Sequence, residues 1–356
     1  MSKIKVAVIG CGNISNSHIP AYDKNENVEI KYFCDLIPER AQEKVDEYGY
    51  GKAVVDYHDF LNDPELDAVS VCTHNDFHSI IAIDFMRAGK HVFCEKPAAR
   101  TLTEALEMQK VAHETGKILN IGVCNRFNTY VNKIKEIIDA GELGEIYHVY
   151  ASFRAHRSIP GLGGDFTTKA VSGGGALIDW GVHYLDLVLY CCGDPTPLTA
   201  SGEAFSKLGV DMKNYVSLGM WAEDTSNLNG TYDVDDSVTG IIRTTGPTIS
   251  FNGAWAQNIG KGETFIDFMG TKAGIRLNYC GDFTMYGVKN GMLTEEKVEC
   301  RQTNMYENEL NDFIRLVMQG GGKNSQYIDR AILTSKIMQA IYDSSEQHRE
   351  IVITEG

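Results

Sequence analysis

Three titratable residues occur on one predicted helix at a spacing that places them on a single face. Asp179, His183 and Asp186 follow the glycine-rich segment Ser172–Gly175 and are four and then three positions apart, so they are neighbours on a helix surface. A histidine between two carboxylates can act as a general base, because each carboxylate can orient the imidazole and stabilise its protonated form. The alternatives are a buried polar network at a helix–sheet interface and a zinc site. The chain offers no third soft ligand at a metal spacing, and we therefore expect no bound metal.

A second reactive candidate is Lys96, within the segment Glu95–Pro97. The lysine follows the strand-like run Lys90–Cys94, so it stands at the carboxyl end of a predicted parallel strand, where ligands of open α/β sheets bind. Pro97 restricts the backbone that follows, and a nearby cofactor together with low exposure would suit Lys96 to proton transfer. The alternative is a surface lysine in an ordinary loop between a strand and a helix.

A glycine-rich turn near the start of the chain predicts a dinucleotide site. The turn Gly10–Ser15 lies between the strand-like run Ile4–Ile9 and a helix-like stretch, an arrangement that directs backbone N–H groups at a pyrophosphate. Asp35 follows the second strand, where it can accept hydrogen bonds from the adenosine ribose and would repel a 2′-phosphate. We therefore expect NAD as the cofactor, while Arg40 keeps NADP possible. The alternatives are a plain tight turn and a solvated Asp35.

A polar cluster follows the third predicted strand. Thr73, Asn75 and His78 stand at the end of that strand, although Asn75 and Asp76 could simply cap the next helix. This cluster completes the predicted cofactor-binding set, which comprises Gly10, Gly12, Asn13, Ile14, Asp35, Arg40, Thr73, Asn75, His78, Glu95 and Lys96.

An alternation of strands and helices positions these candidates. In the first third of the chain the pattern predicts strands with helices between them, at Ile4–Ile9, Val28–Cys34, Asp67–Thr73, Lys90–Cys94 and Ile118–Val123. Such alternation is typical of a doubly wound parallel sheet with helices on both faces. The capping-box spacing of Thr101 and Glu104 begins one of these helices, which is predicted to end at Gly116.

The pattern changes after Cys124, where we place the domain boundary. A long strand, 145–156, and a helix, 176–192, precede shorter β-rich runs at 237–243, 248–255, 264–269 and 283–288. Turns at Gly246-Pro247 and Asn290-Gly291 are expected to join these runs as antiparallel hairpins. We therefore expect an α/β chain with a Rossmann domain over residues 1–124 and an α+β domain with a large open, mostly antiparallel sheet over residues 125–356.

The bulk properties of the chain exclude several classes of function. At 356 residues the chain exceeds the roughly 250–300 residues that one hydrophobic core usually serves, so we expect two domains. A formal net charge of −15 argues against nucleic acid or an anionic membrane as a partner. We expect no membrane span and no secretory signal, because no apolar run is long enough for the first and no leader pattern precedes the first strand. Nine cysteines without metal-type spacing favour a cytoplasmic protein.

Polar residues before the histidine-bearing helix could bind a hydroxylated ligand. Arg154, His156 and Arg157 end the long strand, and Asp165 and Lys169 stand in the loop before the helix. A polyhydroxylated ligand needs many donors and acceptors, which such a set supplies, whereas a solvated loop is the alternative. The predicted substrate-binding residues are Arg157, Asp165, Asp179 and His183.

One further stretch, Lys207–Asp235, carries Tyr215 and Trp221. It is interpreted either as a lid or aromatic platform for a sugar ring or as an interface loop. The residues alone do not separate these two interpretations.

Five motifs together resemble the glucose–fructose oxidoreductase/inositol dehydrogenase/MocA family over nearly the whole chain. They are AVIGCGNIS, THNDFH, FCEKPAA, NRFN followed by AGELGEI, and SGGGALIDWGVHYLDL. The combination of EKP with the Asp-x-x-x-His helix is specific. The departures are Ser15, where a glycine is usual, and His74, where a proline often precedes the residue equivalent to Asn75. The segment RAHRSIPGLGGDFTTKAVSGGG resembles members associated with carbohydrate and cyclitol breakdown.

The resemblance implies a Rossmann domain followed by an α/β domain used for substrate binding and oligomerisation, with the substrate between that sheet and the nicotinamide. It makes Lys96, Asp179 and His183 the catalytic residues. His183 would take the hydroxyl proton while a hydride leaves the carbon, Lys96 would hydrogen-bond the reacting oxygen, and Asp179 would hold the network. The resemblance also implies a homodimer or homotetramer assembled through the outer face of the sheet.

We therefore expect an NAD(P)-dependent oxidoreductase that transfers a hydride between the nicotinamide and a secondary alcohol of a sugar, glycoside or inositol. One alternative is redox-assisted glycoside cleavage, in which oxidation at one carbon acidifies a neighbour, elimination follows and NAD is regenerated. The other is a non-catalytic dinucleotide sensor, which has no evident need for the complete set of Lys96, Asp179 and His183.

Overall fold

The computed structural model describes residues 3–220, 226–320 and 327–353. In chain order the strands are β1 (Ile4–Ile9), β2 (Val28–Cys34), β3 (Lys52–Val54), β4 (Ala68–Val71), β5 (His91–Glu95), β6 (Leu119–Gly122), β7 (Ile146–Arg154), β8 (Pro197–Phe205), β9 (Ser237–Thr244), β10 (Thr248–Ala254), β11 (Glu263–Gly270), β12 (Gly274–Asn278), β13 (Phe283–Lys289), β14 (Met292–Val298) and β15 (Ile351–Val352). The α-helices are α1 (Ser15–Asp23), α2 (Pro38–Tyr48), α3 (Asn75–Arg87), α4 (Leu102–Thr115), α5 (Thr129–Asp139), α6 (Lys169–Ser172), α7 (Val182–Cys191), α8 (Met305–Met318) and α9 (Tyr327–Gln347). A π-helical turn, Leu177–Gly181, precedes α7.

The chain divides into two compact units. The first comprises the residues up to Phe127 together with Asn304–Ile332, and the second comprises Asn128–Thr303 together with the residues from Leu333 onwards. The first unit runs to Phe127, where the boundary predicted from the sequence is Cys124, and it also includes the segment 304–332, which the prediction assigns to the second domain. The reason is α8, which contributes Leu310, Phe313 and Ile314 to a hydrophobic core of the first unit. Their spacing gives the helix one apolar face.

The first unit contains a six-stranded parallel sheet of strand order β3-β2-β1-β4-β5-β6. This order confirms the predicted doubly wound sheet and adds the short edge strand β3, which was not predicted. The central strands are buried along nearly their whole length, which is why they form continuous apolar runs rather than alternating ones. The strand order reverses between β1 and β4, and ligands of such sheets bind beyond the carboxyl ends of the strands at this point.

Local signals in the sequence set the ends of several elements. Thr101 and Glu104 form the predicted capping box at the start of α4: the Thr101 hydroxyl accepts the Glu104 N–H at 3.2 Å, and the Glu104 carboxylate accepts the Thr101 N–H at 3.3 Å. Gly116 ends the same helix in a left-handed conformation, with φ 64°, where glycine carries no steric cost. These observations confirm the predicted boundaries of the helix.

The second unit contains a nine-stranded sheet of order β14-β13-β12-β11-β7-β10-β9-β8-β15. Among the described strand pairs of this nine-stranded sheet, β7 and β10 run parallel and the others run antiparallel. This pairing confirms the predicted mostly antiparallel sheet. Alternate residues of β7, namely Val149, Ala151 and Phe153, enter a core that includes residues of α5, α7 and α9. The β13–β14 hairpin turns through Asn290 and Gly291, whose φ angles of 54° and 75° are those of a type I′ turn.

No helix among residues 3–220, 226–320 and 327–353 is long and apolar enough to cross a membrane. No disulfide links any of the nine cysteines, all of which lie within those ranges.

Candidate active site

The turn after β1 is shaped by two glycines with different tasks. Gly10 has φ 91°, and a Cβ added to it would lie 2.4 Å from the carbonyl oxygen of Cys72, so this close approach to the end of β4 requires glycine. A Cβ on Gly12 would meet no atom within 4 Å, so that side of the turn is open. The open side leads into α1 through Asn13 and Ile14, and a helix N-terminus favours a pyrophosphate there.

Serine fits the third glycine position of this turn. Ser15 is fully buried, and its hydroxyl donates to the carbonyl oxygen of Gly12 at 2.6 Å. The Ser15 hydroxyl therefore points back into the turn and away from the open space beside Gly12. The departure from glycine at this position leaves the turn intact.

The carboxylate of Asp35 connects the second strand to the glycine turn. It accepts the N–H of Cys11 at 2.8 Å and the N–H of Ile37 at 2.8 Å. Asp35 remains half-buried, and a carboxylate has about four lone-pair positions, so acceptor capacity remains for ribose hydroxyls. Arg40 lies exposed in the first turn of α2.

His78 joins the ends of two neighbouring strands. Its ring is fully buried, with Nδ1 2.8 Å from the carbonyl oxygen of Pro97 and Nε2 3.1 Å from the carbonyl oxygen of Thr73. Burial lowers the pKa of His78, and the neutral ring donates its single N–H to one of these two carbonyl oxygens. Asn75 begins α3 and is half-buried.

Lys96 follows β5 directly, at the carboxyl end of the sheet as predicted. It is half-buried, and its peptide bond to Pro97 is cis. Its backbone N–H donates to Oε2 of Glu95 at 3.2 Å, while Oε1 of the same carboxylate lies 2.7 Å from Nε2 of His18. His18 is not among the residues predicted from the sequence, where its one local signal is a polar residue on the inward face of α1.

In the second unit, the segment that carries Asp179 and His183 is not a regular helix at its start. Asp179 lies in the π-helical turn Leu177–Gly181, and His183 lies in the first turn of α7. A π-helical turn holds more residues than an α-helical one, and such turns are frequent at functional sites. The expected regular helix over 176–192 is therefore corrected in its first turn, which changes the angle between the two side chains around the axis.

Asp179 has a specific donor that the sequence analysis did not identify. Its Oδ2 accepts the indole N–H of Trp255 at 3.1 Å; Trp255 is fully buried and Asp179 is 8% exposed. His183 is half-buried, whereas Asp186 is 1% exposed. Trp255 follows β10, so nothing near Asp179 in the sequence indicates the contact.

A second buried carboxylate holds the start of this helical segment. Asp235 accepts the N–H groups of Gly175 at 2.8 Å and Leu177 at 3.0 Å, and the hydroxyl of Tyr342 at 2.7 Å. Burial raises the pKa of Asp235, while the Tyr342 hydroxyl and the two N–H groups oppose this rise. A Cβ on Gly175 would lie 1.9 Å from the carbonyl oxygen of Asp235, which explains a glycine immediately before the helix.

The predicted substrate residues occupy different settings. Arg157 has φ 60°; its guanidinium donates to Asn258 at 2.8 Å and lies 5.6 Å from the ring centre of Tyr215. Asp165 is exposed at the start of a short 3₁₀ turn. The remaining polar candidates bond within the unit: Arg154 pairs with Glu263, His156 lies 2.8 Å from the carbonyl oxygen of Gln257, and the Lys169 N–H donates to Asp233 at 2.6 Å.

The stretch 207–235 packs on the loop that contains Arg157, as far as it is described. The Ile159 N–H donates to the Tyr215 hydroxyl at 3.3 Å, and the Asn227 N–H donates to the carbonyl oxygen of Leu162 at 2.7 Å. Both loops contribute to a small hydrophobic cluster that includes Trp255. Trp221, named as an aromatic platform, lies outside the described residues.

Within the described ranges, no group of three or more His, Cys, Asp or Glu residues is arranged to hold a metal ion.

Comparison with known proteins places these observations in a family. Residues 4–123 match a family model described as oxidoreductase family, NAD-binding Rossmann fold, and residues 131–276 match the model of the GFO/IDH/MocA C-terminal domain. A D-glucoside 3-dehydrogenase of Escherichia coli is 31% identical over 349 residues, which cover 97% of this chain and 96% of that relative. A myo-inositol 2-dehydrogenase of Thermotoga maritima is 30% identical over 191 residues, which cover 54% of this chain and 55% of that relative.

Solved structures show the same fold. A levoglucosan dehydrogenase in complex with NADH and levoglucosan has a TM-score of 0.85 at 21% identity, covering 99% of this chain and 100% of that structure. Both family models match, and one relative aligns along nearly the whole length of the chain. The chain therefore belongs to the GFO/IDH/MocA family of oxidoreductases with an NAD-binding Rossmann fold.

Proposed function

We propose that this protein is an NAD-dependent dehydrogenase that oxidises a secondary alcohol of a sugar, with a glycoside as the first substrate class to test. The observation that carries this proposal is the alignment with a D-glucoside 3-dehydrogenase along 97% of the chain. The inositol dehydrogenase relative aligns over 54% of it, so a cyclitol is the second class. The complete set of Lys96, Asp179 and His183 favours catalysis over a sensor role.

The first unit supplies a cradle that fits NAD. The open face of Gly12 and the adjoining Gly10, Asn13 and Ile14 would receive the pyrophosphate, since a Cβ on Gly12 would otherwise project into that space. Asp35 would bind the adenosine ribose. The remaining residues of the set, at the carboxyl ends of β4 and β5, would hold the nicotinamide half: Thr73, Asn75 and Lys96 directly, and His78 and Glu95 through the backbone groups that their buried side chains contact. Bound NAD supplies the hydride acceptor.

The chain's own residues would handle the proton. His183 takes the proton of the substrate hydroxyl as the C–H bond yields its hydride, so that the alcohol carbon becomes a carbonyl. Asp179, held by the Trp255 indole N–H at 3.1 Å, orients the network around His183. Lys96 donates a hydrogen bond to the reacting oxygen and stabilises the charge that develops there.

Substrate specificity would come from the loop before α7. Arg157 and Asp165 are the proposed substrate contacts, together with Asp179 and His183. Arg157 is held by Tyr215 and Asn258, so its guanidinium is preorganised for a polyhydroxylated ligand, which lowers the entropy lost on binding. Arg40 is the residue through which NADP could also be accepted.

Replacing Asp35 by serine is expected to weaken NAD binding by roughly 10- to 100-fold and to weaken NADP binding less. The carboxylate is both the acceptor for the ribose hydroxyls and the charge that repels a 2′-phosphate. Fluorescence titration with NADH and NADPH measures the two dissociation constants. Asp46→Ser, which removes an exposed charge from α2, serves as the matched control. An unchanged preference in Asp35→Ser would remove Asp35 from the ribose site.

We also propose a cytoplasmic homodimer or homotetramer. The face of the nine-stranded sheet opposite the helices carries Tyr150 and Phe265 in ring contact at 5.8 Å, with Arg276 4.2 Å over Phe265 and Ile241 37% exposed. Half-buried aromatic rings beside an exposed aliphatic side chain on one face of a sheet are suited to a protein interface. The absence of a disulfide among the nine cysteines suits a reducing compartment. The mass in solution, measured by light scattering, distinguishes these assemblies from a monomer.

The experiment that tests the activity is an absorbance screen at the NADH band. NAD and NADP are each offered with methyl glucosides, hexoses, uronic acids and inositols, and a signal with one class identifies cofactor and substrate together. If the panel is silent while a thermal shift shows NAD binding, glycoside consumption without net NADH would indicate redox-assisted cleavage. Silence without NAD binding would contradict the dehydrogenase proposal and favour a non-catalytic role.

A further inference from the structure

A buried histidine–glutamate pair adjoins Lys96 and takes no part in the reaction steps above. His18 on α1 is fully buried, and Glu95 at the end of β5 is 5% exposed. Nε2 of His18 lies 2.7 Å from Oε1 of Glu95, and Oε2 of Glu95 accepts the Lys96 N–H at 3.2 Å. Because both carboxylate oxygens are held, the pair fixes the peptide group from which the Lys96 side chain projects.

The imidazole of His18 is itself held on its other side. Its Nδ1 lies 2.8 Å from the Ser70 hydroxyl and 3.4 Å from Sγ of Cys72, both on β4 or directly after it. Tyr22 donates to the same Ser70 hydroxyl at 3.2 Å. The ring packs edge-on against Phe93 at 5.3 Å. The pair therefore has one geometry, set by α1, β4 and β5.

The neighbouring strand leaves space for this carboxylate. Gly122 on β6 is the register partner of Glu95, and a Cβ on Gly122 would lie 2.9 Å from Oε1 of Glu95. Gly122 does not have a positive φ, so its backbone would accept alanine. The close approach of the Glu95 side chain is therefore the reason for glycine at this position.

The charges within the pair compensate each other. Burial alone would lower the pKa of His18, but Cys72 and the hydrogen-bonded Glu95 outweigh burial and raise it to about 10. The 2.7 Å contact with the Glu95 carboxylate favours a protonated His18 ring, because a buried charge needs such a partner. The titratable groups that face the cluster are Tyr22 from α1, Cys72 and His78 from the region of β4 and α3, Cys94, Glu95 and Lys96 from β5 and the residue after it, Cys124, and Tyr306 and Glu309 from α8.

We infer that the His18–Glu95 ion pair is a positioning device for Lys96, an inference that rests on the function proposed for Lys96. The pair touches neither substrate nor hydride; it holds the lysine backbone so that the ammonium group meets the reacting oxygen. This assigns Glu95 a role different from the cofactor contact predicted from the sequence. A displacement of about 1 Å at a reacting group can cost on the order of 100-fold in rate, so the effect is measurable.

The test compares Glu95→Gln, His18→Gln and Gly122→Ala in the full chain. Each is expected to lower kcat by on the order of 10- to 100-fold while NADH still binds. The pH profile of kcat should change in Glu95→Gln, which removes the charge, and keep its shape in Gly122→Ala, which only moves the carboxylate. A purely structural role would not separate these two variants. Glu95→Gln with wild-type kcat and pH profile would overturn the inference.

Lys90→Met is the matched control for a buried charge in the same strand region. Lys90 precedes β5 at its opposite end, is 8% exposed, and donates to the carbonyl oxygens of Asp63 at 2.5 Å and Leu66 at 2.8 Å. Its replacement is expected to lower stability and leave kcat unchanged. A kcat loss in Lys90→Met equal to that in Glu95→Gln would show that any destabilisation of this unit suffices, and would overturn the inference.

A measurement without turnover keeps the inference separate from the proposed activity. In ¹⁵N NMR of the wild-type protein, the His18 ring, assigned by its absence in His18→Gln, should remain an imidazolium at pH 8. Because folding raises the pKa of His18 from 6.5 to about 10, the stability it contributes is complete below pH 6.5 and declines towards pH 10. The free energy of unfolding should therefore fall across that window, and fall less in His18→Gln. A neutral His18 ring at pH 8 would overturn the ion pair, whereas wild-type silence in the substrate screen without NAD binding would overturn only the proposed activity.

Discussion

Replacing Lys96 by methionine is expected to lower kcat by on the order of 100- to 1000-fold while leaving NAD binding close to that of the wild type. Methionine keeps the length of the apolar stem and removes the ammonium group that donates to the reacting oxygen. The loss should appear in kcat rather than in the dissociation constant of NADH, because the interaction strengthens as charge develops on the oxygen. Steady-state kinetics with the substrate found in the screen, together with NADH fluorescence titration, measure both quantities.

The matched control for this substitution is Arg100→Met. Arg100 lies a few residues after Lys96, is half-buried and pairs with Glu104 at 2.5 Å, so its replacement removes a cation from the same segment. We expect its kcat to stay at the wild-type value. Wild-type kcat in Lys96→Met would remove Lys96 from the chemistry, and an equal loss in both variants would indicate a nonspecific effect of charge.

The second large effect is expected from His183→Asn. Loss of a general base typically costs on the order of 100- to 10,000-fold in rate, and the residual rate should lose the fall at acid pH that protonation of the base imposes. Rate measurements between pH 5 and 10, with NADH binding as the test of an intact first unit, check both statements.

Two further variants accompany His183→Asn: one is expected to cause a smaller loss of kcat, and the other is the control. Trp255→Phe removes the N–H that Asp179 accepts and leaves His183 in place, so a smaller loss is expected, equivalent to about 1.5–3 kcal/mol for one hydrogen bond to a charged group. His348→Asn replaces an exposed histidine in the second unit, at φ 50°, which asparagine tolerates, and should leave kcat unchanged. If His183→Asn kept the acid limb of the wild-type profile, another group would be the base.

The sequence by itself determined the features that depend on a few neighbouring residues. Continuous apolar runs identify the buried parallel strands, and alternating apolar and polar residues identify the half-buried antiparallel strands. The Thr101–Glu104 spacing identifies the start of a helix, and Asn290-Gly291 identifies a hairpin. The glycine turn after β1 and the lysine after β5 are also features that a few neighbouring residues determine. Their positions follow from the rule that ligands collect at the carboxyl ends of parallel strands, which needs only the order of the elements.

The tertiary structure decided which distant residues meet. Trp255 reaches Asp179 across 76 positions, Asp235 reaches Gly175 across 60, and His18 reaches Glu95 across 77. No local pattern surrounds any of these partners, so no spacing in the sequence distinguishes them from ordinary surface or core residues.

The same holds for two features of the backbone. The segment 304–332 groups with the first unit because the apolar face of α8 is buried in that core, although in sequence it follows the strands of the second. The π-helical turn around Asp179 lies where Asp235 and close-packed glycines hold the start of the helix. Helical periodicity predicts that a helix forms; its membership in a core and the geometry of its first turn depend on packing and hydrogen bonds supplied by chain far away in sequence.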